Sequence, residues 1–179
     1  VSGSQNFPYF DGNNAFNHLV KQCDLGPRYP GSDGHKAFIE MLDTFLKPLN
    51  TKVVKHEVTV TNPITKKPVD LTNILARFSP EKQKRLLILA HWDTREVADK
   101  DPVLANQNIP ILGANDGASG IAILMELAII LNQNPLYNIG VDLLFVDGED
   151  MGVPGVAESF GLGTKEFAQV YPQPMPYFG

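Results

Sequence analysis

Two short apolar runs, Arg85-Leu86-Leu87-Ile88-Leu89-Ala90 and Val141 to Val146, bracket a longer apolar stretch, Ser119 to Leu131. Runs of this length with no polar alternation suit strands buried on both faces of a sheet, and the first reads as a central strand. Between them, Ile121, Leu124, Met125, Ala128 and Leu131 recur at helical spacing. Upstream, Asp11 can cap a helix to Cys23 with Phe16, Leu19, Val20 and Cys23 on its apolar face. After the rigid turn Gly26-Pro27-Arg28-Tyr29-Pro30-Gly31, Ser32 can cap a second helix whose face is Phe38, Met41, Leu42, Phe45 and Leu46, ended by Pro48. Lys52 to Val60 and Leu71 to Phe78 read as strands around a turn from Asn62 to Pro68. The layout predicts an α/β fold, a three-layer α/β/α arrangement with helices packed on a mixed, largely parallel central sheet.

At 179 residues the chain is expected to form one domain, 1–179, around one sizeable core. A net charge of −5 with no basic stripe excludes nucleic acid as a partner. Lys82, Lys84 and Arg85 are read as a solvated loop. Cys23 is alone, so no intrachain disulfide forms. The longest apolar run, Ile121 to Leu131, is too short to span a bilayer and is interrupted by Glu126, so no transmembrane segment is expected. Val1 is not an initiator, so the true N-terminus is expected to have been removed or to lie outside this chain.

In sheets of this kind, ligands bind beyond the carboxyl ends of the strands. His91 and Asp93 follow the first buried strand, Glu149 and Asp150 the second, and Asp116 lies in the loop before the intervening helix. Carboxylate oxygens bind a hard or borderline cation such as zinc, and a neighbouring free carboxylate can act as base. Alone, Asp116 would read as a turn residue or helix cap, and Glu149-Asp150 as a solvated strand end. Two strands aimed at one edge favour the metal reading. Asp147 is expected to hold the turn around Gly148. Trp92 is open between a substrate-pocket wall and ordinary packing. Arg95 could bind a substrate, but is expected to pair with Asp93, Asp99 or Asp101. His18, His35 and His56 read as surface residues.

The motifs His91-Trp92-Asp93-Thr94-Arg95, Gly113-Ala114-Asn115-Asp116-Gly117 and Asp147-Gly148-Glu149-Asp150 together resemble the zinc aminopeptidase and glutaminyl cyclase superfamily. Trp92, the Glu-Asp pair and Glu158-Ser159-Phe160-Gly161-Leu162-Gly163-Thr164 make the chain most similar to the bacterial glutaminyl-peptide cyclotransferases. The resemblance implies a zinc exopeptidase-like fold, incomplete at the C-terminus. It implies Asp116 and Asp150 as zinc ligands and Glu149 as general acid/base, acting on peptide or protein N-termini. His91 and Asp93 would be ligands in a two-zinc aminopeptidase, or would stand beside the ion in a single-zinc cyclase. A non-catalytic binding ectodomain is a third reading. Family members supply a further aspartate and the last zinc-binding histidine beyond the position of Gly179, so a fragment is expected. Relatives are exported to the periplasm or anchored as lipoproteins, and a monomer is expected.

Overall fold

The computed structural model describes residues 7–171 and 177–178. Helix α1 (Gly12–Asp24) begins where the Asp11 carboxylate accepts the Asn13 and Asn14 amides, and α2 (Asp33–Leu46) where Ser32 Oγ accepts the His35 amide. Strands β1 (Lys52–Thr61) and β2 (Pro68–Phe78) form a long antiparallel hairpin. β3 (Arg85–His91), α3 (Gly120–Gln133) and β4 (Gly140–Val146) follow, and α4 (Leu162–Val170) closes the described fold.

The sheet is mixed, in the order β1-β2-β4-β3. Its parallel part is the β3–β4 pair, while β1–β2 and β2–β4 are antiparallel. Side chains alternate across it as the period of two requires. Ile74, Ala76, Phe78, Val141, Leu143 and Phe145 face α2 and α3, and α1 packs outside α3. Leu75, Leu144 and Val146 meet Phe167 of α4 on the other face. Three layers result, as expected. Every residue of β4 is buried.

Four expectations need correction. Among the described residues β3 ends the sheet rather than lying at its centre, with Leu89 49% exposed and a single parallel bridge, Arg85 to Tyr177, on its outer edge. An apolar run cannot distinguish a central strand from an edge one, because the neighbour that decides lies elsewhere in sequence. The inward face of α1 is Ala15, His18 and Gln22, leaving Phe16 and Val20 exposed. Part of this polar face is bonded, since Glu126 of α3 binds the Asn14 side chain and the Asp11 amide and Gln22 donates to the Ala118 carbonyl, while His18 Nδ1 and Gln22 Oε1 are buried without a partner among the described residues. His18 and His35 are buried rather than on the surface. Arg85 is buried too. It pairs with Asp142 of β4, which also accepts from Arg77 Nε (3.2 Å) and the Tyr177 hydroxyl (2.8 Å). That ion cluster sits at the end of the sheet opposite His91.

Candidate active site

Parallel pairing puts His91 level with Val146, so the segments after β3 and β4 leave the sheet side by side. Asp93, fully buried, uses this closeness: Oδ1 accepts the Glu149 amide (3.0 Å) and Oδ2 the Asp150 amide (2.9 Å). One carboxylate thus fixes the backbone of both acidic residues. Asp147 supports the same turn, accepting the Gly148 amide at Oδ1 (2.8 Å) and the Thr72 amide at Oδ2 (2.7 Å). His35 Nε2 lies 2.8 Å from Oδ2 as well, and Asn73 Oδ1 accepts the Asp147 amide. Gly148 has φ +66, which favours glycine, and a Cβ there would strike Leu71. The expected structural role of Asp147 is what these bonds describe.

Asp116 is placed differently. It sits in an irregular turn, Ala114–Ser119, with its peptide bond to Gly117 cis. Gly117 packs directly on His91, and a Cβ would collide with the His91 carbonyl oxygen. The Asp116 carboxylate reaches back to His91 Nε2 at 2.9 Å. His91 Nδ1 faces the Asp93 carbonyl at 3.2 Å, an acceptor only, so both ring nitrogens meet acceptors. Burial lowers the imidazole pKa. The hydrogen bond and charge of Asp93, with the charges of Glu149 and Asp116, outweigh that and hold it up at about 9.

The carboxylates strain against one another. Asp150 is raised to about 6, first by burial and then by the charges of Asp116 and Asp93, with Arg95 pulling the other way. Glu149 is also raised, mainly by burial, with Asp93 and Asp116 adding to it against His91. A divalent cation would relieve this repulsion, and carboxylate oxygens suit zinc. Asp116 and Asp150 could supply two such donors. Among the described residues, no three His, Cys, Asp or Glu side chains sit close enough together to hold an ion.

His91, Asp116 and Glu149 line one open cleft of about 480 Å³, with Leu89 and Thr164 on its walls. Asp150 also lines a second cavity, beside Arg95. Arg95 pairs with Asp99 (2.7 and 2.8 Å), which holds that carboxyl below its usual range, and its Nη1 donates to the Asp150 and Gly152 carbonyls. Trp92 lies in the core rather than on a pocket wall: it is fully buried, stacked on Phe38 (4.6 Å) and near His35 (4.5 Å), with Nε1 donating to the Thr72 carbonyl.

The sequence did not reveal Arg28. It is fully buried and donates to the carbonyls of Gln22, Trp92, Leu112 and Gly113, tying α1, the β3 exit and the approach to Asp116 together. Its place inside a Pro- and Gly-rich turn was the available signal, since such a turn leaves many carbonyls without partners. His35 was also missed.

Residues 73–174, more than half of the chain, match the family model for peptidase family M28. The chain is 34% identical to Bacteroides thetaiotaomicron glutaminyl cyclase bound to N-acetylhistamine, with a TM-score of 0.90, covering 96% of this chain and 61% of that one. To a Zn-dependent exopeptidase from Parabacteroides distasonis it is 35% identical, with a TM-score of 0.87 and coverage of 93% and 58%. A glutaminyl-peptide cyclotransferase-like protein of Bos taurus is 26% identical over 151 residues, 80% of this chain and 37% of that relative. The chain thus spans well under two thirds of the relatives it matches. On its motifs, its fold and these matches, the chain belongs to peptidase family M28.

Proposed function

We propose that this chain carries the zinc-binding and acid/base half of a glutaminyl-peptide cyclotransferase, which converts N-terminal Gln to pyroglutamate and releases ammonia. The carrying observation is the pair of amide bonds from Glu149 and Asp150 to Asp93, which hold Glu149 in the same open cleft as Asp116. Likeness to solved glutaminyl cyclases supports it.

Asp116 and Asp150 would hold one zinc ion, which when bound supplies Lewis-acid polarisation of the side-chain amide carbonyl. The chemistry assigned to the chain is proton transfer. The substrate α-amine nitrogen forms a bond to the side-chain carbonyl carbon, and the bond from that carbon to the amide nitrogen breaks. Glu149 takes the proton that the attacking amine loses and delivers it to the departing nitrogen, which leaves as ammonia. His91, bonded at both nitrogens, would orient Asp116 rather than bind metal, which favours this reading over a two-zinc aminopeptidase. No helix among the described residues is long and apolar enough to cross a membrane. Export to the periplasm, a single catalytic domain and a monomeric state belong to the same proposal.

The test uses the full-length protein with Gln-initiated and Leu-initiated peptides. Ammonia from the former, no free amino acid from the latter, and about one zinc per chain are expected. Glu149→Gln should lower kcat by roughly 10²–10⁴-fold, the range for a lost general base. Ammonia release that survives this change would remove Glu149 from its role. Leucine release with about two zinc ions would replace the proposal by the aminopeptidase reading.

A further inference from the structure

Beside Asp150 lies a cavity of about 220 Å³ whose outer wall is the tip of the β1–β2 hairpin. The sheet register explains why that tip is there. Thr72 of β2 is level with the catalytic turn through its bond to Asp147, yet β2 continues back to Pro68. At about 3.3 Å per residue, the hairpin overhangs the site by roughly 13 Å. Its tip is not loose. Asn62 Oδ1 accepts the Ile64 (2.8 Å) and Thr65 (2.9 Å) amides, and the Asn62 amide donates to the Lys67 carbonyl (2.8 Å). This Asx turn presents Ile64, 47% exposed, on a preorganised support.

Tyr29, Pro30, Ile64 and Met151 give the cavity apolar walls. Two anions, Asp150 and Glu96, and one cation, Arg95, also line it. Arg95 is held mainly by Asp99 and two carbonyls and reaches Asp150 Oδ1 only at 3.5 Å, so with the exposed Glu96 the anions of the wall outweigh its cation. Glu149 lines the open cleft and Asp150 lines this cavity. Adjacent residues of one turn thus serve as walls of the two.

We propose that this cavity receives the side chain of the second residue of the peptide substrate, taking an apolar group and refusing an acidic one. This rests on the cyclotransferase reading for which end of a peptide enters first. Ile64 is a specificity-determining residue here and touches no reacting atom.

The test compares Gln-Phe-Ala, Gln-Ala-Ala and Gln-Glu-Ala as substrates of the full-length protein. In parallel, calorimetry measures binding of the matching pyroglutamyl peptides, which cannot react further, to metal-free protein. The Phe peptide should exceed the Ala peptide in kcat/KM by about tenfold or more, as apolar pockets discriminate, and the Glu peptide should fall below both. The pyroglutamyl peptides should bind in the same order. Ile64→Asp should bring the Phe/Ala ratio to within about twofold of unity in both assays, and Ile64→Ala should lower it partway. Turnover with no preference for Phe, or a preference unchanged in Ile64→Asp, would overturn the inference and leave the cyclotransferase reading standing. If no Gln peptide is cyclised, that reading fails, and equal binding of the Phe and Ala peptides would then dismiss the cavity as well.

Discussion

Full burial pushes the Asp147 carboxyl up to about 6, against the opposing pull of His35 and the Thr72 amide. The unfolded chain releases this proton near pH 3.9. Between about pH 4 and pH 6 the folded chain therefore binds more protons at Asp147 than the unfolded chain does. Its contribution to stability is full below that window and is lost as pH rises through it. Asp150 and Glu149, also raised, act with the same sign. Asp147→Asn should lower stability overall and make its fall with pH shallower, not remove it; urea midpoints from pH 4 to 7 would measure this. An unchanged slope would mean that Asp147 is ionised throughout. That Asp116, Glu149 and Asp150 come to one end of the sheet was legible because each lies where a strand ends or a helix begins. The service of Asp93 to two backbone amides was not, since an acceptor of amide bonds and a metal ligand are the same residue type. His35 was hidden by its place in the first turn of a helix, where only tertiary packing shows that it faces Asp147.

Arg28 joins elements that the sheet does not join. The turn that carries it enters the core between α1 and the β3 exit, and its guanidinium supplies donors to carbonyls that have no strand partner. Desolvation opposes the charge and lowers the pKa, so the bonds must compensate for burying it. Arg28→Met would take the guanidinium donors from the Trp92 and Leu112 carbonyls, while those of Gln22 and Gly113 keep the Leu25 and Ala118 amides. It should destabilise the protein by about 3 kcal/mol, read as a shift in urea midpoint. Arg28→Lys keeps the charge but not the planar fork, and should recover only part of this. A loss under about 1 kcal/mol for Met would show that the turn holds without it. The two caps and the helices α2 and α3 were legible because capping residues and a 3.6-residue period are local signals. The α1 face was not, nor was the place of β3 at the end of the sheet among the described residues. Gln22 is buried by a bond to Ala118, 96 residues away, and no local pattern encodes such a partner.

Charge is sorted along the sheet. One end holds Asp142 between Arg77 and Arg85, an anion answered by two cations. The other end gathers Asp93, Asp116, Glu149 and Asp150 around His91, an excess of anions. Both ends are products of the same β3–β4 pairing, yet only the second lacks a full complement of positive charge. An ion that binds the folded state alone stabilises it by RT ln(1 + [L]/Kd), about 2.7 kcal/mol at a hundredfold excess over Kd. For a chain of this size that corresponds to a rise in Tm of roughly 5–10 °C. Zinc should produce such a rise in the full-length protein and EDTA should reverse it. Magnesium should do much less, since it keeps its waters and demands octahedral geometry. Asp116→Asn and Asp150→Asn should each blunt the zinc response, while Asp142→Asn should lower Tm and leave the zinc shift intact. The 179-residue chain alone should respond less, because its described residues gather fewer than three donors at one point. A zinc shift of the same size in Asp116→Asn would place the ion away from the strand ends and detach the anionic edge from its proposed purpose.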